Sequence, residues 1–361
     1  MTLETADSPP ISPTALRPAL RRHLHLIATT VVPLVAALAL SGLILALLGV
    51  DPLAYYGWVV QRGLLSPSGL EATATRMAPL LLIAASLIVA FRAGIWNLGG
   101  DGQFLLAAVI VAAAAPALSG HLPNWAVLSC CLILGAAVGA AWSVVPALLK
   151  AWQNVNEIIT TLMMTFLGVS LANVLVKLAF LDPRTTVPQT RTLAVADRLP
   201  RLFETTVSSG LLIGLVAIVL VHLIMTRTAF GLKLRIVGAN PRAALHAGLP
   251  VPRLTVAVFA ISAALAGLAG AVEIVGVQGN VRADWNPAYG LTVVPLVFLA
   301  RFNGFASIAF VFLFSVLSIG GESAARRLGV PNHFTLVVVA ILLIMLGITE
   351  HLDQRRRAAG R

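Results

Sequence analysis

The sequence predicts an all-α polytopic transmembrane helical bundle of about ten spans, with a range of eight to ten. Of its 361 residues 58% are hydrophobic and 11% are charged, whereas soluble domains carry about 25% charged residues. The apolar residues form long runs, which are typical of helices that cross a bilayer and pair their backbone polar groups internally. The chain does not show the alternating segments of about ten residues that a transmembrane β-barrel needs.

Hydropathy locates the spans along the chain, and each boundary is defined to within several residues. The predicted spans are 27–49, 77–91, 104–118, 126–149, 158–180, 210–226, 254–277, 291–300, 305–321 and 334–349. The 291–300 segment is too short to cross about 30 Å of hydrocarbon at 1.5 Å per residue, which indicates a half-helix or part of a re-entrant pair. The segments at 77–91 and 334–349 are also short, so the lower counts stay open.

The charge pattern predicts the orientation of the bundle. The formal net charge of +11 lies mainly in the tails and one loop, which favours membrane orientation over nucleic-acid binding. With a cytoplasmic N-terminus, ten spans return the C-terminus to the cytoplasm and place fifteen Lys and Arg residues inside against ten outside. We therefore expect a cytoplasmic tail at 1–25, a membrane domain at 26–350 with a cytoplasmic loop at 227–253, and a basic cytoplasmic tail at 351–361.

The residues that usually carry metal, cofactor or covalent chemistry are not grouped in this chain. Cys130 and Cys131 are adjacent in an apolar run, which disfavours a disulfide between them, and no His or carboxylate lies nearby to complete a metal site. The histidines are scattered, mostly in loops, and no nucleophile has a credible base. The sequence predicts no catalytic residue, no metal and no cofactor.

The segment FRAGIWNLGGDGQ, residues 91–103, lies between two apolar runs and holds four glycines among polar side chains. Clustered glycines disfavour a regular helix. Irregular backbone at membrane depth is tolerated where it lines a cavity or is buried in protein. A broken helix of that kind and a plain cytoplasmic loop both fit the pattern.

Two further segments carry polar residues at the ends of apolar runs. Asn156 is a candidate N-cap, with Glu157 in the first turn of the next helix. Glu273 lies near the predicted outer end of an apolar span and either binds a polar solute or pairs with Arg282. The small residues of 264–270, just before it, predict close packing against another helix.

A short capped helix is predicted in the basic loop. Asn240 suits the N-cap, Pro241 the first turn and Gly248 the position after the last turn. Such a helix fits a groove on a soluble partner. An ordinary amphipathic surface helix would have the same pattern.

Taken together, the segments resemble the permease subunits of the branched-chain amino acid, simple-sugar and nucleoside class of ABC importers, over about residues 30–350. FRAGIWNLGGDGQ is similar to the family signature, with Asp101 where Glu is common. VNEIITTLMM resembles the Val-Asn-Glu segment, and GLKLRIVGANPRAALHAGL resembles the cytoplasmic loop that docks on the ATPase. AGLAGAVEIVGVQG and GGESAARRLGVP also match, and the former, with the signature, is most similar to the nucleoside branch.

The resemblance implies a type II-like ABC importer permease in the bacterial cell inner membrane that moves a small polar solute, specifically a nucleoside. It implies a transport subunit that is not an enzyme, because ATP hydrolysis belongs to a separate ATPase subunit. The other implied partners are a second permease, as a heterodimer, and a periplasmic or lipid-anchored solute-binding protein. Import of a sugar or branched-chain amino acid by the same class remains an alternative.

The resemblance and the polar segments together give two sets of candidate residues. The substrate-path candidates are Trp96, Asn97, Gln103 and Glu273. The candidates for coupling to the ATPase are Gly238, Asn240, Ala244 and Gly248. An ion-coupled secondary transporter is the rival from another class, but it usually shows midspan ionisable groups and inverted repeats, and the sequence has few of the former and no evident repeat.

Overall fold

The computed structural model describes residues 31–331 and 334–359. The chain forms two compact units. The larger unit, Ala54–Thr335, contains every site discussed below. The smaller unit consists of Met1–Leu53 and Leu336–Arg361, and its described part holds helix α1, Val31–Leu47, and most of α14, Phe334–Ala359. The predicted tail at 1–25 lies outside the described residues.

The regular secondary structure of the described residues is helical, and β pairing among them is limited to two isolated bridges. The helices between α1 and α14 are α2 Pro52–Val60, α3 Pro67–Arg92, α4 Gly100–Leu118, α5 Asn124–Trp142, α6 Val144–Gln153, α7 Glu157–Val174, α8 Gly210–Arg227, α9 Ala229–Ala239, α10 Pro241–His246, α11 Val251–Glu273, α12 Tyr289–Leu299 and α13 Gly304–Leu328. Single π-helical turns follow three of them, at Gln61–Leu65, Leu175–Ala179 and Ile274–Gln278. The predicted all-α class is confirmed.

Seven helical segments within the described ranges are long and apolar enough to cross a membrane. They are Pro67–Arg92, Gly100–Leu118, Asn124–Gln153, Glu157–Ala179, Gly210–Arg227, Val251–Gln278 and Gly304–Leu328. Helices Val31–Leu47 and Tyr289–Leu299 are apolar but shorter. The multi-span bundle is therefore shown, whereas the total of about ten spans stays a prediction.

Helix α3 begins at Pro67, ten residues before the predicted start of that span at 77. The added turns include Arg76, whose Nη2 lies 3.1 Å from Glu322 Oε1 on α13. Ser66 caps the helix, because its side chain accepts a hydrogen bond from the backbone N–H of Gly69. The charged side chains lower the local hydropathy, which is why the apolar run alone gave too short a helix.

The predicted start of α7 and the short helix in the basic loop are both found. Asn156 Oδ1 accepts a hydrogen bond of 2.9 Å from the backbone N–H of Ile158. Asn240 Oδ1 accepts one of 3.0 Å from Ala243 N–H, and Pro241 is the first residue of α10. Local capping signals therefore located both helix starts.

Helix α11 lies at the centre of the bundle, packed against α3, α4, α5 and α6. Its small residues pack backbone to backbone on α5, as predicted for 264–270. A Cβ on Gly267 would lie 2.9 Å from the Gly139 Cα, and one on Gly139 would lie 2.9 Å from the Gly267 Cα. Side chains are excluded at this crossing because the two backbones already touch.

Gly267→Val is expected to destabilise the bundle by about 1–3 kcal/mol, the usual cost of overpacking. The new side chain would meet backbone atoms of α5, which cannot move aside as a side chain can. Thermal unfolding of the purified protein in detergent measures the effect as a lower Tm. Gly57→Val is the matched control, since a Cβ at Gly57 meets nothing within 4 Å. Equal Tm values for the two variants would contradict the close α5–α11 crossing.

Candidate functional site

The connector between α3 and α4, residues 93–99, is irregular backbone buried inside the protein. Helix α3 ends at Arg92, Gly94 adopts a φ of +70°, and α4 begins at Gly100. Ile95 and Asn97 are 4% and 2% exposed. The structure therefore contains a broken helix with buried polar groups, and its position relative to the membrane, which would distinguish it from a plain cytoplasmic loop, stays a prediction.

The polar side chains of the connector bond to each other and to α11. The Asn97 Nδ2 donates to Ser262 Oγ at 2.9 Å and to Gln103 Oε1 at 3.3 Å, and Gln103 Nε2 donates back to Asn97 Oδ1 at 3.2 Å. Ser262 also shares a hydrogen bond of 2.9 Å with Ser86 on α3. Because buried polar groups need partners, this network fixes α3, α4 and α11 together. Asn97 and Gln103 thus lie at the centre of the bundle.

Helix α7 holds the other side of the connector. Thr161 Oγ1 accepts a hydrogen bond of 3.2 Å from the backbone N–H of Leu98, and Thr165 Oγ1 donates to the Leu98 carbonyl at 3.0 Å. These two threonines satisfy backbone groups that no helix satisfies. The connector is therefore held by α7 as well as by α11.

Trp96 is the member of the connector that reaches the surface, with 39% of the residue exposed. Its ring lies 5.1 Å from the ring of Phe91 and 5.4 Å from that of Phe298, the latter at 30° between ring planes. These contacts fix the indole on one side and leave part of it free. Aromatic packing and stacking on a planar solute are both compatible with this position.

The two ends of the short helix α12 are held by opposite charges on either side of the connector. Asp101 Oδ1 accepts a hydrogen bond of 2.6 Å from Gly290 N–H in the first turn of α12. Arg92 donates from Nε and Nη2 to the Phe302 carbonyl, at 3.1 and 2.9 Å, just beyond the last turn. A negative group at a helix N-terminus and a positive group at its C-terminus both favour the helix dipole. We call Arg92 and Asp101 the α12 clamp.

Sequence reasoning missed the α12 clamp, although a signal was present. Arg92 and Asp101 lie nine residues apart in the signature segment, and the half-helix is about 190 positions further on. Only the tertiary structure brings the two segments together. The short length of 291–300 did indicate that its ends need partners inside the bundle.

The four coupling candidates lie on α9 and α10. Gly238 touches the connector, because a Cβ there would lie 2.7 Å from the Arg92 carbonyl oxygen and 2.9 Å from Gly94 N. Ala244 is the fully buried residue of α10. Gly248 follows α10 with a φ of +78° and open space around it. The pair of helices thus links the connector to a projecting surface.

The outer face of α10 is exposed on the protein. Leu245 is 61% exposed, and the other exposed residues of this face are Arg242, Ala243 and His246. We call these four residues the α10 surface. A preorganised helix with one large apolar side chain, Leu245, beside charged and polar ones fits a shallow groove on another protein. The geometry agrees with the partner-docking interpretation of this segment.

Glu273 lies at the opposite end of α11 from the α10 surface and faces a cavity of about 340 Å³. The residue is 4% exposed, and its Oε1 accepts a hydrogen bond of 3.1 Å from Gln278 Nε2. The polar residues that line this cavity are Thr75, Arg76, Thr206, Glu273, Gln278 and Tyr289. We call it the Arg76–Glu273 cavity. The alternative in which Glu273 pairs with Arg282 is not found.

Of the candidate path residues, the structure brings Asn97 and Gln103 together, leaves Trp96 partly exposed against Phe91 and Phe298, and places Glu273 apart, in its own cavity. Arg76, Gln278 and Tyr289 were missed at this cavity. Arg76 lies one residue before the predicted span at 77–91, so it was counted outside the membrane and no partner or cavity was expected for it. Gln278 and Tyr289 gave no signal, since their neighbours come from distant helices.

Buried polar groups in an apolar bundle, a broken helix held among other helices and an exposed capped helix are typical of a polytopic membrane transport protein. The family described as "Branched-chain amino acid transport system / permease component" matches residues 69–346. The chain belongs to this family. It is therefore a permease subunit of an ABC importer, and ATP hydrolysis is done by a separate ATPase.

Similar proteins match over most of their length. The glucose ABC transporter permease protein TsgB13 of Haloferax volcanii is 33% identical over 91% of this chain and 89% of its own. The nucleoside ABC transporter permease protein NupB of Lactococcus lactis is 27% identical over 88% of this chain and 90% of its own. The guanosine ABC transporter permease protein NupP of Bacillus subtilis is 28% identical over 76% and 79%. The class predicted from the motifs is confirmed.

Proposed function

We propose that this chain carries a nucleoside across the inner membrane of a bacterium, paired with a second, unlike permease, with both of its termini in the cytoplasm. The observation that carries the proposal is the buried carboxylate of Glu273, which faces a polar cavity in an otherwise apolar bundle. Two of the similar proteins are nucleoside or guanosine permeases. ABC importer permeases work with an ATPase and a solute-binding protein, which would deliver the solute at the cavity end.

The α10 surface is proposed to dock on the ATPase. Its exposed Leu245 and its fixed cap at Asn240 suit insertion into a groove. Movement of α10 would reach the connector through the backbone contact between Gly238 and Gly94. This chain of contacts supports Gly238, Asn240, Ala244 and Gly248 as the coupling residues.

Trp96, Asn97, Gln103 and Glu273 are proposed to line or border the path. Glu273 would accept hydrogen bonds from solute hydroxyls, because its carboxylate opens on the cavity. Trp96 would stack on a base with its exposed part. Asn97 and Gln103 bond to each other, so their role is to hold the wall of the path in place.

A sugar is the second candidate solute. The observation that favours it is the 33% identity to a glucose permease, which exceeds the identity to the two nucleoside permeases. The two solutes share a ring with neighbouring hydroxyls. They differ in the planar base, for which the exposed part of Trp96 is the proposed partner.

Uptake by the reconstituted importer tests the solute. The chain, its companion permease, the ATPase and the solute-binding protein are placed in vesicles, and entry of labelled adenosine and labelled glucose is measured with and without internal ATP. We expect ATP-dependent entry of adenosine. ATP-dependent entry of glucose alone would exclude the nucleoside. Entry driven by a proton or sodium gradient without ATP would contradict the importer mechanism.

A further inference from the structure

We propose that the Arg76–Glu273 cavity is a solute subsite that recognises the neighbouring hydroxyls of an uncharged sugar ring. The inference rests on the proposed function, since it names what that importer recognises at this end of the bundle. It adds Arg76, Gln278 and Tyr289 to Glu273 as residues that contact the solute. Nothing in the sequence pattern grouped these four side chains.

The cavity walls combine groups that only accept with groups that only donate hydrogen bonds. An ionised Glu273 offers acceptors alone, and Arg76 offers donors alone. Gln278 and Tyr289 each offer both. A hydroxyl donates and accepts at once, so two neighbouring hydroxyls satisfy a carboxylate and a guanidinium without bringing a charge. A hydrocarbon solute would leave these polar groups unpaired, at a cost.

The charges at the cavity disfavour anionic solutes. Arg76 is already paired with Glu322 at 3.1 Å, so it is not free to neutralise a phosphate or carboxylate. Glu273 adds a second carboxylate near the same guanidinium. An anionic solute would meet the carboxylate of Glu273 and a cation already neutralised by Glu322, which is repulsive in a site of low dielectric. A neutral ring avoids this penalty.

The local backbone places Glu273 and Gln278 side by side. A π-helical turn, Ile274–Gln278, follows Glu273 directly, and Gln278 donates across it to Glu273 Oε1. Single π turns are rare in proteins, and those that occur often lie at functional sites. The amide holds one carboxylate oxygen and orients the group towards the cavity.

The cavity has the size and the position of a subsite for a small ring. Its volume of about 340 Å³ lies at the lower end of the range for ligand pockets, about 300–1,000 Å³. Its walls come from α3, α11 with its π turn, α12, α13 and the segment before α8. A group bound there would contact the first turn of α12, whose Tyr289 lines the cavity.

Protection of an introduced cysteine tests the subsite directly. In the assembled importer, Cys130 and Cys131 are replaced with Ala, and Ala72→Cys is introduced in the cavity wall. The rate of maleimide labelling is measured with adenosine, glucose, 2′,3′-dideoxyadenosine or adenosine monophosphate, without the solute-binding protein. Ala196→Cys is the matched control, because Ala196 lines the neighbouring cavity and not this one.

We expect adenosine to slow the labelling of Ala72→Cys and to leave Ala196→Cys unchanged. The dideoxynucleoside lacks the two hydroxyls and the monophosphate adds a negative charge, so each should protect at least about tenfold more weakly than adenosine. Adenosine should also protect at least about tenfold more weakly when Glu273→Gln is combined with Ala72→Cys, because the charged hydrogen-bond acceptor is then lost. A monodisperse elution profile shows that Glu273→Gln is folded.

The outcomes separate this inference from the proposed function. Equal protection by adenosine and its dideoxy form, or stronger protection by the monophosphate, overturns hydroxyl recognition. No protection in an importer that still takes up adenosine overturns the subsite and leaves the proposed function standing. Protection by glucose but not adenosine supports the subsite and overturns the nucleoside assignment.

Discussion

Gly248→Val is expected to reduce ATP-driven uptake by about tenfold while ATP hydrolysis continues. Gly248 has a φ of +78°, a conformation that costs an L-residue about 1–2 kcal/mol and costs a β-branched residue more. No atom lies within 4 Å of the position of a Cβ, so the substitution creates strain without a clash. The strain shifts α10 away from the docked conformation, by a factor of about ten for each 1.4 kcal/mol.

Gly248→Asn is the matched control for this prediction. Asn adopts the left-handed conformation more readily than Val, so this variant should keep much of the coupling at similar size and exposure. Uptake of labelled solute and release of phosphate are measured in the same vesicles, and their ratio reports coupling. An unchanged ratio in Gly248→Val would count against α10 as the coupling helix. An equal loss in both variants would show that strain is not the cause.

The sequence located the elements whose signals are local. The N-caps Asn156 and Asn240 were found because a short polar side chain before an apolar turn is visible within four residues. The shortness of α12 was visible for the same reason, since it follows from the length of one apolar run. The Gly-rich crossing of α11 was also predicted from composition alone.

The remaining features depend on residues that are far apart in the chain. The first turns of α3 were not predicted because Arg76 makes them look polar, and its partner Glu322 is 246 positions away. Asn97 and Gln103 were chosen as path residues, but no pattern showed that they bond to each other and to Ser262. Pairing across a bundle is set by topology, which hydropathy does not contain.

Cavities are the least predictable feature for a related reason. Glu273 was identified because a carboxylate in a span is costly unless it has a function or a partner. The identity of the partner stayed open between a solute and Arg282. In the structure, the π turn after Glu273 brings Gln278 against the carboxylate, and both residues line the cavity, whereas binding of a solute there stays a proposal.

Asp101→Leu is expected to reduce uptake by at least about tenfold. The substitution removes the acceptor for Gly290 N–H, and an unpaired buried donor costs about 1–3 kcal/mol. It also removes the negative charge at the N-terminus of α12. The Leu side chain is larger than that of Asp101, which already lies close to Gly290. Of the two charged groups of the α12 clamp, Arg92 at the other end of the helix would remain. Uptake per correctly folded importer is the measurement.

Asp101→Asn separates the hydrogen bond from the charge at the α12 clamp. Asn keeps an oxygen that accepts from Gly290 N–H and has nearly the same size, so it should retain most of the uptake if the hydrogen bond positions α12. A loss as large as that of Asp101→Leu would assign the effect to the charge on the helix dipole instead. Wild-type uptake in both variants would contradict the clamp. A lower Tm with normal uptake would show that Asp101 only stabilises the fold. A residue that positions α12 for transport should change uptake even when the amount of folded protein is equal.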